Sequence, residues 1–245
     1  MYPEICKIGP LTVYSYGLMF VIAFFVSAYL TKEQAKKSGI NPGVIFNFCF
    51  TVFIWGVIGA RIFYVVENFD FYRQNLIEIA LLPRGGLSWF GGLITGCIIT
   101  PIYLKKKKLA IYKTLDLIIP FLALAQAIGR VGCLLNGCCF GKESSAGIYF
   151  PAHQKTLIPT QIISSLLMLF IFIRLRILQD KPHRDGKIFF LYLFFYSIKR
   201  FFIEFWRADN PPILFNFTLF QILSLAVFCI SLFKVFSLRN NKLRT

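Results

Sequence analysis

The chain has 245 residues, of which 57% are hydrophobic and 18% aromatic, and its mean hydropathy of +0.66 is high for a soluble globular domain. Its formal net charge of +16 raises the possibility of a nucleic-acid partner, but the positions of the cations, described below, exclude that class. The seven cysteines include no Cys-x-x-Cys pair, and His153 and His183 have no ligand spacing to them, so the sequence predicts no metal site.

Long apolar stretches follow one another along the chain. A helix needs about 20 apolar residues to cross the hydrocarbon core of a bilayer. We therefore predict an all-α fold, a polytopic membrane bundle of seven transmembrane helices that forms a single integral membrane domain over residues 1–245. The segment "MYPEICKIGP" lacks a basic region and a cleavage site, so we expect the first span to be retained. The predicted spans cover about residues 11–31, 43–66, 86–104, 115–135, 157–177, 188–207 and 214–234.

Lysine and arginine are concentrated in alternate connecting segments. The predicted inner segments 31–42, 105–113, 174–187 and 234–245 hold 17 of the 27 cations, whereas the outer segments hold 5. This positive-inside pattern predicts an N-terminus outside and a cytoplasmic C-terminus. It also assigns the "KKKK" run within residues 105–113 to anionic headgroups, with no nucleic-acid partner. The outer segment 67–84 is expected to contain a short amphipathic helix at the interface.

Five cations lie in or at the ends of predicted spans, with only one acid at comparable depth. A lone arginine at the bilayer centre costs about 3 kcal/mol, so such residues usually mark function. The acid is Glu204, one helical turn after Arg200, and these two are expected to pair on one helix face that also includes Arg207. The five cations are Arg61, Arg130, Lys199, Arg200 and Arg207.

This pairing leaves some intramembrane cations without a partner in the sequence. Lys199 and Arg207 can extend to a surface, whereas Arg61 and Arg130 cannot be paired with an acid. Because the guanidinium stays charged and binds phosphate with a two-pronged fork, unpaired arginines favour an anionic ligand. A phospholipid headgroup is the anion most available at that depth. We therefore predict a headgroup site at Arg130.

Glycines are concentrated in two stretches, "RGGLSWFGGLITG" at 84–96 and "GRVGCLLNGCCFG" at 129–141. Small residues let helices approach closely in lipid, and this is the favoured explanation for the glycines taken alone. Glycine also permits loop conformations that can cradle a headgroup, which is the second interpretation.

At this point a family resemblance becomes visible over nearly the whole chain. The stretch "GRVGCLLNGCCFG" is similar to the signature Gly-Arg-x-Gly-Asn-x-x-Asn-Gly-Glu-x-x-Gly of the prolipoprotein diacylglyceryl transferase family. It resembles a branch with Gly-Cys-Cys-aromatic-Gly at that signature. Five further segments resemble family motifs in the same order: "IGPLTVYSYGLMF" (8–20), "GARIFYVVENF" (59–69), "RGGLSWFGGLITG" (84–96), "IPTQI" (158–162) and "KRFFIEFWRADN" (199–210).

The resemblance implies a reaction and its partners. The family transfers the diacylglyceryl group of phosphatidylglycerol to the lipobox cysteine of a prolipoprotein signal peptide, releasing glycerol 1-phosphate. It implies a bacterial inner-membrane protein of the lipid bilayer that needs no cofactor and no metal.

The resemblance also implies roles for individual residues. Arg130 and Arg200 would hold the phosphate, with Glu204 orienting Arg200 and Tyr16 contacting the headgroup or positioning the incoming thiol; these four form the expected catalytic set. The expected phospholipid-binding set is Arg130, Asn136, Arg207, Arg61, Gly91, Gly92 and Gln161.

Four positions depart from the family's motifs. Phe90 and Ile158 stand where the family has histidines, and Cys133 and Cys138 stand where it has an asparagine and a glutamate. Three alternatives for the cysteines follow: packing, which is favoured, a direct role of Cys133 or Cys138 in the site, or a disulfide or metal. Adjacent Cys138 and Cys139 would bridge only with strain, and Arg130 is the only cation expected near a thiol.

These departures leave competing functions open. One is a transferase of the same fold with a different acceptor, and another is a non-catalytic phospholipid-binding membrane protein. A thiol redox protein is a weaker alternative.

Overall fold

The computed structural model describes residues 1–8, 11–79 and 86–240, and these residues are mostly helical. A 3-10 turn at Leu76–Ile79 follows the third helix. The α-helices in the described part are α1 (Ser15–Lys37), α2 (Pro42–Glu67), α3 (Phe69–Tyr72), α4 (Trp89–Lys106), α5 (Ile111–Asn136), α6 (Thr160–Gln179), α7 (Lys187–Glu204) and α8 (Leu219–Asn240).

Five of the long helices are apolar enough to cross a membrane, namely α1, α2, α5, α6 and α8 over Leu219–Leu238. Their outer faces expose large apolar side chains such as Leu166 and Phe233, as expected where the surrounding medium is lipid. The prediction of a multi-pass helical membrane protein is confirmed. The remaining two long helices, α4 and α7, have 18 residues each, with two charged residues in α4 and four in α7. Neither is among these five, so the count of seven spans stays a prediction.

Short β-hairpins lie in the connecting segments of an otherwise helical chain, which is consistent with the expected all-α membrane fold. Each predicted span overlaps one long helix, but the first, the fifth and the last also include strand residues, because hydropathy alone does not separate an extended apolar segment from a helical one. The paired strands are β1 (Glu4–Ile8) with β2 (Leu11–Tyr14), β3 (Glu143–Phe150) with β4 (Lys155–Leu157), and β5 (Pro212–Leu214) with β6 (Phe217–Thr218).

The helix α7 ends earlier than the sequence predicts. Its last helical residue is Glu204, and the backbone N–H groups of Phe205, Trp206 and Arg207 each bond to the carbonyl three residues earlier. Arg207 therefore lies beyond the last residue of α7 and is not on the helix that carries Arg200 and Glu204. The prediction that all three share one helix face is therefore wrong for Arg207.

The chain divides into two compact units. The first comprises residues 1–6, 13–27 and those from Tyr112 onward, and the second comprises residues 7–12 and 28–111. The single domain expected from the sequence stays a prediction. The core of the first unit lies between α5, α6 and α7 and consists of Ile119, Ala123, Ala127, Met168, Ile171, Leu175, Ile188 and Tyr192.

One end of the first unit, where α5 and α7 begin and α6 ends, is closed by Asp116, and we call it the Asp116 end. The buried Asp116 carboxylate accepts hydrogen bonds from the N–H groups of Gly186 (2.7 Å) and Phe189 (2.8 Å), which caps α7 from a neighbouring helix. Gln179 at the end of α6 donates to the Asp116 carbonyl at 2.7 Å. The three helices are thus locked together at this end.

In the second unit, α2 and α4 pack through small residues. A Cβ placed on Gly91 would lie 2.4 Å from the carbonyl oxygen of Gly59, and one on Gly59 would lie 1.9 Å from Thr95 Oγ1. A Cβ on Gly92 would lie 3.4 Å from the carbonyl oxygen of Gly56. Close helix packing, the favoured explanation for the glycines, is what the structure shows for Gly91 and Gly92.

Arg61, also in the second unit, has partners that the sequence does not reveal. Its guanidinium donates to the carbonyl oxygens of Ile79 (3.0 Å), Gly86 (2.9 Å) and Glu78, and lies 5.2 Å from the centre of the Tyr72 ring. The expectation that Arg61 lacks partners is wrong, because backbone carbonyls replace the missing acid. The amphipathic helix predicted within 67–84 is broken into α3 and the 3-10 turn, and residues 80–84 lie outside the described part.

Candidate active site

The polar residues of the first unit gather at the end opposite Asp116, where α5 and α7 end and α6 and α8 begin; we call it the Arg207 end. Gly141, just after α5, forms a β-bridge with Arg207, just after α7, and its N–H bonds to the Ile158 carbonyl at 2.9 Å. The Lys142 N–H bonds to the Trp206 carbonyl at 2.7 Å. A Cβ on Gly141 would lie 2.8 Å from both carbonyl oxygens, so this approach requires glycine.

Arg200 and Glu204 form the predicted ion pair. Their nearest atoms, Arg200 Nη2 and Glu204 Oε2, are 3.1 Å apart, and both side chains are nearly buried. The second carboxylate oxygen accepts hydrogen bonds from Thr218 Oγ1 (3.0 Å) and Asn210 Nδ2 (2.5 Å). The Arg200 guanidinium lies 4.2 Å from the centre of the Phe220 ring. Both carboxylate oxygens of Glu204 thus have partners within the protein, and Glu204 holds the Arg200 guanidinium in place.

Arg130 on α5 is half-buried and lies within electrostatic range of Lys199 and Arg200. Across residues 1–8, 11–79 and 86–240, no hydrogen bond or ion pair reaches its guanidinium. The prediction that Arg130 lacks an acidic partner is confirmed for these residues. A charged fork with free donors, placed beside other cations, is suited to an incoming anion.

Lys199 does not extend to a surface, so that expectation is wrong. Its side chain is buried, with the ammonium 3.3 Å from Ser164 Oγ and 4.6 Å from the centre of the Tyr196 ring. The aromatic face and the hydroxyl partly replace water around the charge. Lys199 thus adds a cation to the cluster. Its burial against Ser164 was not predicted, because that residue of α6 is 35 positions away in the sequence.

Arg207 is also buried, and it forms a two-pronged contact with Asp209, in which Nε lies 2.8 Å from Oδ1. Its guanidinium lies beside the Cys139 thiol. The expectation that Arg130 is the only cation near a thiol is therefore wrong. A cleft of about 530 Å³ opens here, and its walls include Lys142, Glu204, Arg207, Asp209, Asn210, Thr218 and Gln221.

The turn after α5 presents the cysteines of the signature. The sulfurs of Cys133, Cys138 and Cys139 lie within 4.8 Å of one another. The Asn136 amide faces the Cys138 thiol. Tyr16 on α1 is half-exposed and lies within electrostatic range of Arg130 and of all three thiols.

Gln161 supports this turn with its amide nitrogen, while its amide oxygen makes no hydrogen bond among the described residues. Its Nε2 donates to the Cys138 carbonyl at 2.7 Å, and the neighbouring Thr160 Oγ1 donates to the Cys139 carbonyl at 2.6 Å. Within the described residues, the buried Oε1 atom of Gln161 has no hydrogen-bond partner. Gln161 therefore lies at the site, but its amide N–H is used to hold the backbone.

Most predicted site residues thus gather in the first unit, while a few belong to the second. Asn210 and Thr218, which hold Glu204, were not predicted; Asn210 at least lies within a matched motif, whereas Thr218 carries no sequence signal. Arg61, Gly91 and Gly92 belong to the second unit. The residues gathered at the Arg207 end are Tyr16, Arg130, Cys133, Asn136, Cys138, Gln161, Arg200, Glu204 and Arg207.

The helices and this cluster define a multi-pass membrane protein with several cations at one end of a helical unit. The chain belongs to the prolipoprotein diacylglyceryl transferase family, whose sequence profile matches residues 3–237. Relatives named phosphatidylglycerol–prolipoprotein diacylglyceryl transferase occur in Streptococcus pyogenes serotypes M5 (strain Manfredo), M49 (strain NZ131) and M1. Each is 34% identical to this chain, over 98% of the chain and 96% of the relative. The family resemblance seen in the sequence is confirmed.

Proposed function

We propose that this protein transfers the diacylglyceryl group of phosphatidylglycerol to the lipobox cysteine of a prolipoprotein and releases glycerol 1-phosphate. Membership of the family and the names of the relatives support this assignment. The observation that carries it is the cluster of cations at the Arg207 end, because it supplies what a phosphate leaving group requires.

The charges at the Arg207 end do not balance. Three guanidinium groups lie in the cluster, and the acids in contact with them, among the described residues, are Glu204 and Asp209, so three minus two leaves an excess of one positive charge without counting the buried Lys199. The phosphodiester of phosphatidylglycerol carries one negative charge, whereas the released phosphate monoester carries up to two. An excess of cations therefore stabilises the leaving group more than the substrate, which is the condition for catalysis. The guanidinium groups are those of Arg130, Arg200 and Arg207.

The bond changes in this reaction are simple. The acceptor sulfur attacks the methylene carbon of the diacylglyceryl group and forms a thioether, while the carbon–oxygen bond to phosphate breaks. The bonding electron pair moves to the phosphate oxygen, and the thiol proton is released. Arg130 binds the phosphate with its free donors, and Arg200, fixed by Glu204, stabilises the charge that develops on the leaving oxygen.

The remaining site residues position the reactants. Tyr16, half-exposed beside the cluster, contacts the headgroup or orients the acceptor thiol. Asn136 and Arg207 line the site, and Gln161 holds the turn that follows Asn136 at the end of α5. No cofactor enters this scheme. Contact of Arg61, Gly91 and Gly92 with lipid stays a prediction, and their observed partners support a role in packing the second unit.

We place the protein in the bacterial inner membrane with seven spans, the N-terminus outside and the C-terminus in the cytoplasm. The arrangement of the first unit supports this topology. The connecting segments at the Arg207 end carry three cations, Lys142, Lys155 and Arg207. At the Asp116 end, the connection between α6 and α7 and the adjoining helix ends together carry six, namely Lys113, Arg174, Arg176, Lys181, Arg184 and Lys187. By the positive-inside rule the site then faces outward, where a prolipoprotein cysteine becomes accessible.

Purified protein incubated with labelled phosphatidylglycerol and a lipobox peptide tests the proposal. We expect release of labelled glycerol phosphate together with a peptide that has gained the diacylglyceryl mass. A peptide with serine in place of the lipobox cysteine is the matched control and should give neither product. Lipid that binds without any release would instead identify a non-catalytic phospholipid-binding protein and refute the proposal.

A second candidate is a transferase of the same fold that uses another acceptor. The observation that favours it is the loss of polar groups at Phe90, Cys133, Cys138 and Ile158, where the family has two histidines, an asparagine and a glutamate. Expression in a bacterial strain depleted of its own transferase separates the two. Rescue of growth supports the lipobox cysteine as acceptor, whereas failure of a well-expressed protein that still releases glycerol phosphate supports a different acceptor.

A further inference from the structure

We propose that Cys133, Cys138 and Cys139 form a binding site for a thiophilic metal ion of the Zn²⁺ class. Their three sulfurs lie within 4.8 Å of one another, although the sequence contains no Cys-x-x-Cys pair. When two sulfurs bind one tetrahedral zinc ion, each Zn–S distance is about 2.3 Å and the two sulfurs are roughly 3.8 Å from each other. The three thiols therefore need to move by only about 1 Å to share one ion. This inference goes beyond the transferase assignment and does not depend on it.

The backbone of the turn brings adjacent cysteine side chains to the same point. Gly137 and Cys139 both have positive φ angles, 74° and 61°, so the backbone takes the left-handed conformation at two of three successive residues. Cys139 is not glycine, so its left-handed conformation must be held by its surroundings. The N–H of Cys138 bonds back to the Cys133 carbonyl at 3.1 Å, which places the turn directly over the last turn of α5.

Two side chains at the start of α6 hold this turn in place. Thr160 donates to the Cys139 carbonyl and Gln161 to the Cys138 carbonyl, and both are almost completely buried. The backbone carbonyls of Cys138 and Cys139 are therefore held in place by α6. Preorganised ligands of this kind are what a metal site needs, because the ion then does not have to order the chain.

The charges around the thiols favour the metal-bound form. A divalent ion bound to three thiolates carries one net negative charge, and three protons are released as it forms. Arg130 and Arg207 both lie within electrostatic range of Cys139, so this negative charge has cations beside it. Cys133 is buried and the other two cysteines are half-buried, which leaves a fourth position open to water or another ligand.

Titration of the reduced, metal-free, full-length protein with Cd²⁺ in detergent tests the site. We expect a thiolate-to-metal charge-transfer band that saturates at one ion per protein, and a rise in Tm as the ion is bound. Replacing any one of the three cysteines with serine should weaken binding by at least about 100-fold, because loss of a ligand should cost more than loss of a residue that only supports a ligand, which costs about 10–100-fold. Cys97→Ser and Cys229→Ser are the matched controls, since both residues are exposed and should leave the titration unchanged.

Protection from alkylation gives a second measurement that does not require stable variants. Bound Cd²⁺ or Zn²⁺ should shield these three cysteines from a maleimide while Cys6, which is exposed and lies in β1 outside the helices, still reacts, as mapped by mass spectrometry. Three results would overturn the proposal. These are a band that persists when all three cysteines are serine, a stoichiometry that falls with the control variants, and a disulfide within the trio in protein purified without reductant.

Discussion

The Arg200–Glu204 ion pair offers the sharpest test of how this site is built. We expect Glu204→Gln to destabilise the protein and to abolish transfer. Glutamine keeps an acceptor oxygen for Thr218 and Asn210, so the substitution removes mainly the charge. Arg200 would then remain buried against Phe220 without a counter-charge.

The structure sets the size of this effect. The pair is separated by 3.1 Å, and the side chains of Arg200 and Glu204 are only 10% and 0% exposed. Breaking a buried ion pair by removing one partner costs about 3–5 kcal/mol, because an uncompensated charge stays in a medium of low polarity. Replacing both charged partners, as in Arg200→Met/Glu204→Gln, removes that charge while keeping an acceptor oxygen for Thr218 and Asn210, and should restore most of the free energy of unfolding.

The chain contains a matched control with the same spacing. Arg176 near the end of α6 and Asp180 just after it are also four residues apart, but their contact is 3.5 Å and their side chains are 24% and 63% exposed. Asp180→Asn should therefore cost less than about 1 kcal/mol. The free energy of unfolding is measured by denaturant titration in mixed micelles, and transfer is measured with labelled phosphatidylglycerol and a lipobox peptide.

Activity should behave differently from stability in this series. Transfer should be lost in Glu204→Gln, in Arg200→Met and in the double variant, and the double variant should be little worse than either single one. A stability loss in Glu204→Gln no larger than that of Asp180→Asn would refute the argument from burial. Fully additive losses of transfer would show that the two residues act in separate sites.

Three further outcomes follow from other contacts. Arg130→Ala should remain folded in detergent yet lose transfer by at least about 100-fold, and normal turnover in a well-expressed variant would contradict the anion site. Gly91→Ala should lower the free energy of unfolding by about 1–3 kcal/mol, whereas in Gly96→Ala the new Cβ meets only Val52 at 3.9 Å and should be tolerated. Asp116→Ala should cost about 1–2 kcal/mol by uncapping α7, as checked by thermal unfolding, and should leave specific activity unchanged.

Hydropathy and charge alone predicted the membrane class, the order of the long helices and the pairing of Arg200 with Glu204. These features depend on composition and on spacing within one helix, which a sequence displays directly. The end of α7 and the β-hairpins were not predicted, because a tight turn or a strand in an apolar segment leaves no periodic signal. Motif similarity, rather than hydropathy, identified Tyr16, Asn136 and Gln161 as site residues.

Partners from distant parts of the chain account for the remaining errors. Arg61 is bound by the carbonyls of a segment that begins 17 residues later, and Lys199 contacts a serine 35 residues earlier. Neither contact could be read from side-chain chemistry, because one set of partners is backbone and the other is a single hydroxyl. The cysteine cluster was missed for a related reason, since two positive φ angles bring together sulfurs whose spacing fits no common metal motif.

The cations of this protein also separate into two kinds once their partners are known. Arg61, Arg200 and Arg207 have partners from the chain itself, so their burial is compensated within the fold. Arg130 has no such partner among the described residues, so its desolvation is uncompensated until an anion arrives. The free-energy cost of desolvating Arg130 in the folded protein is then offset when its guanidinium binds the phosphate. For this reason the residue that contributes least to stability at the Arg207 end is the one whose removal should reduce transfer most.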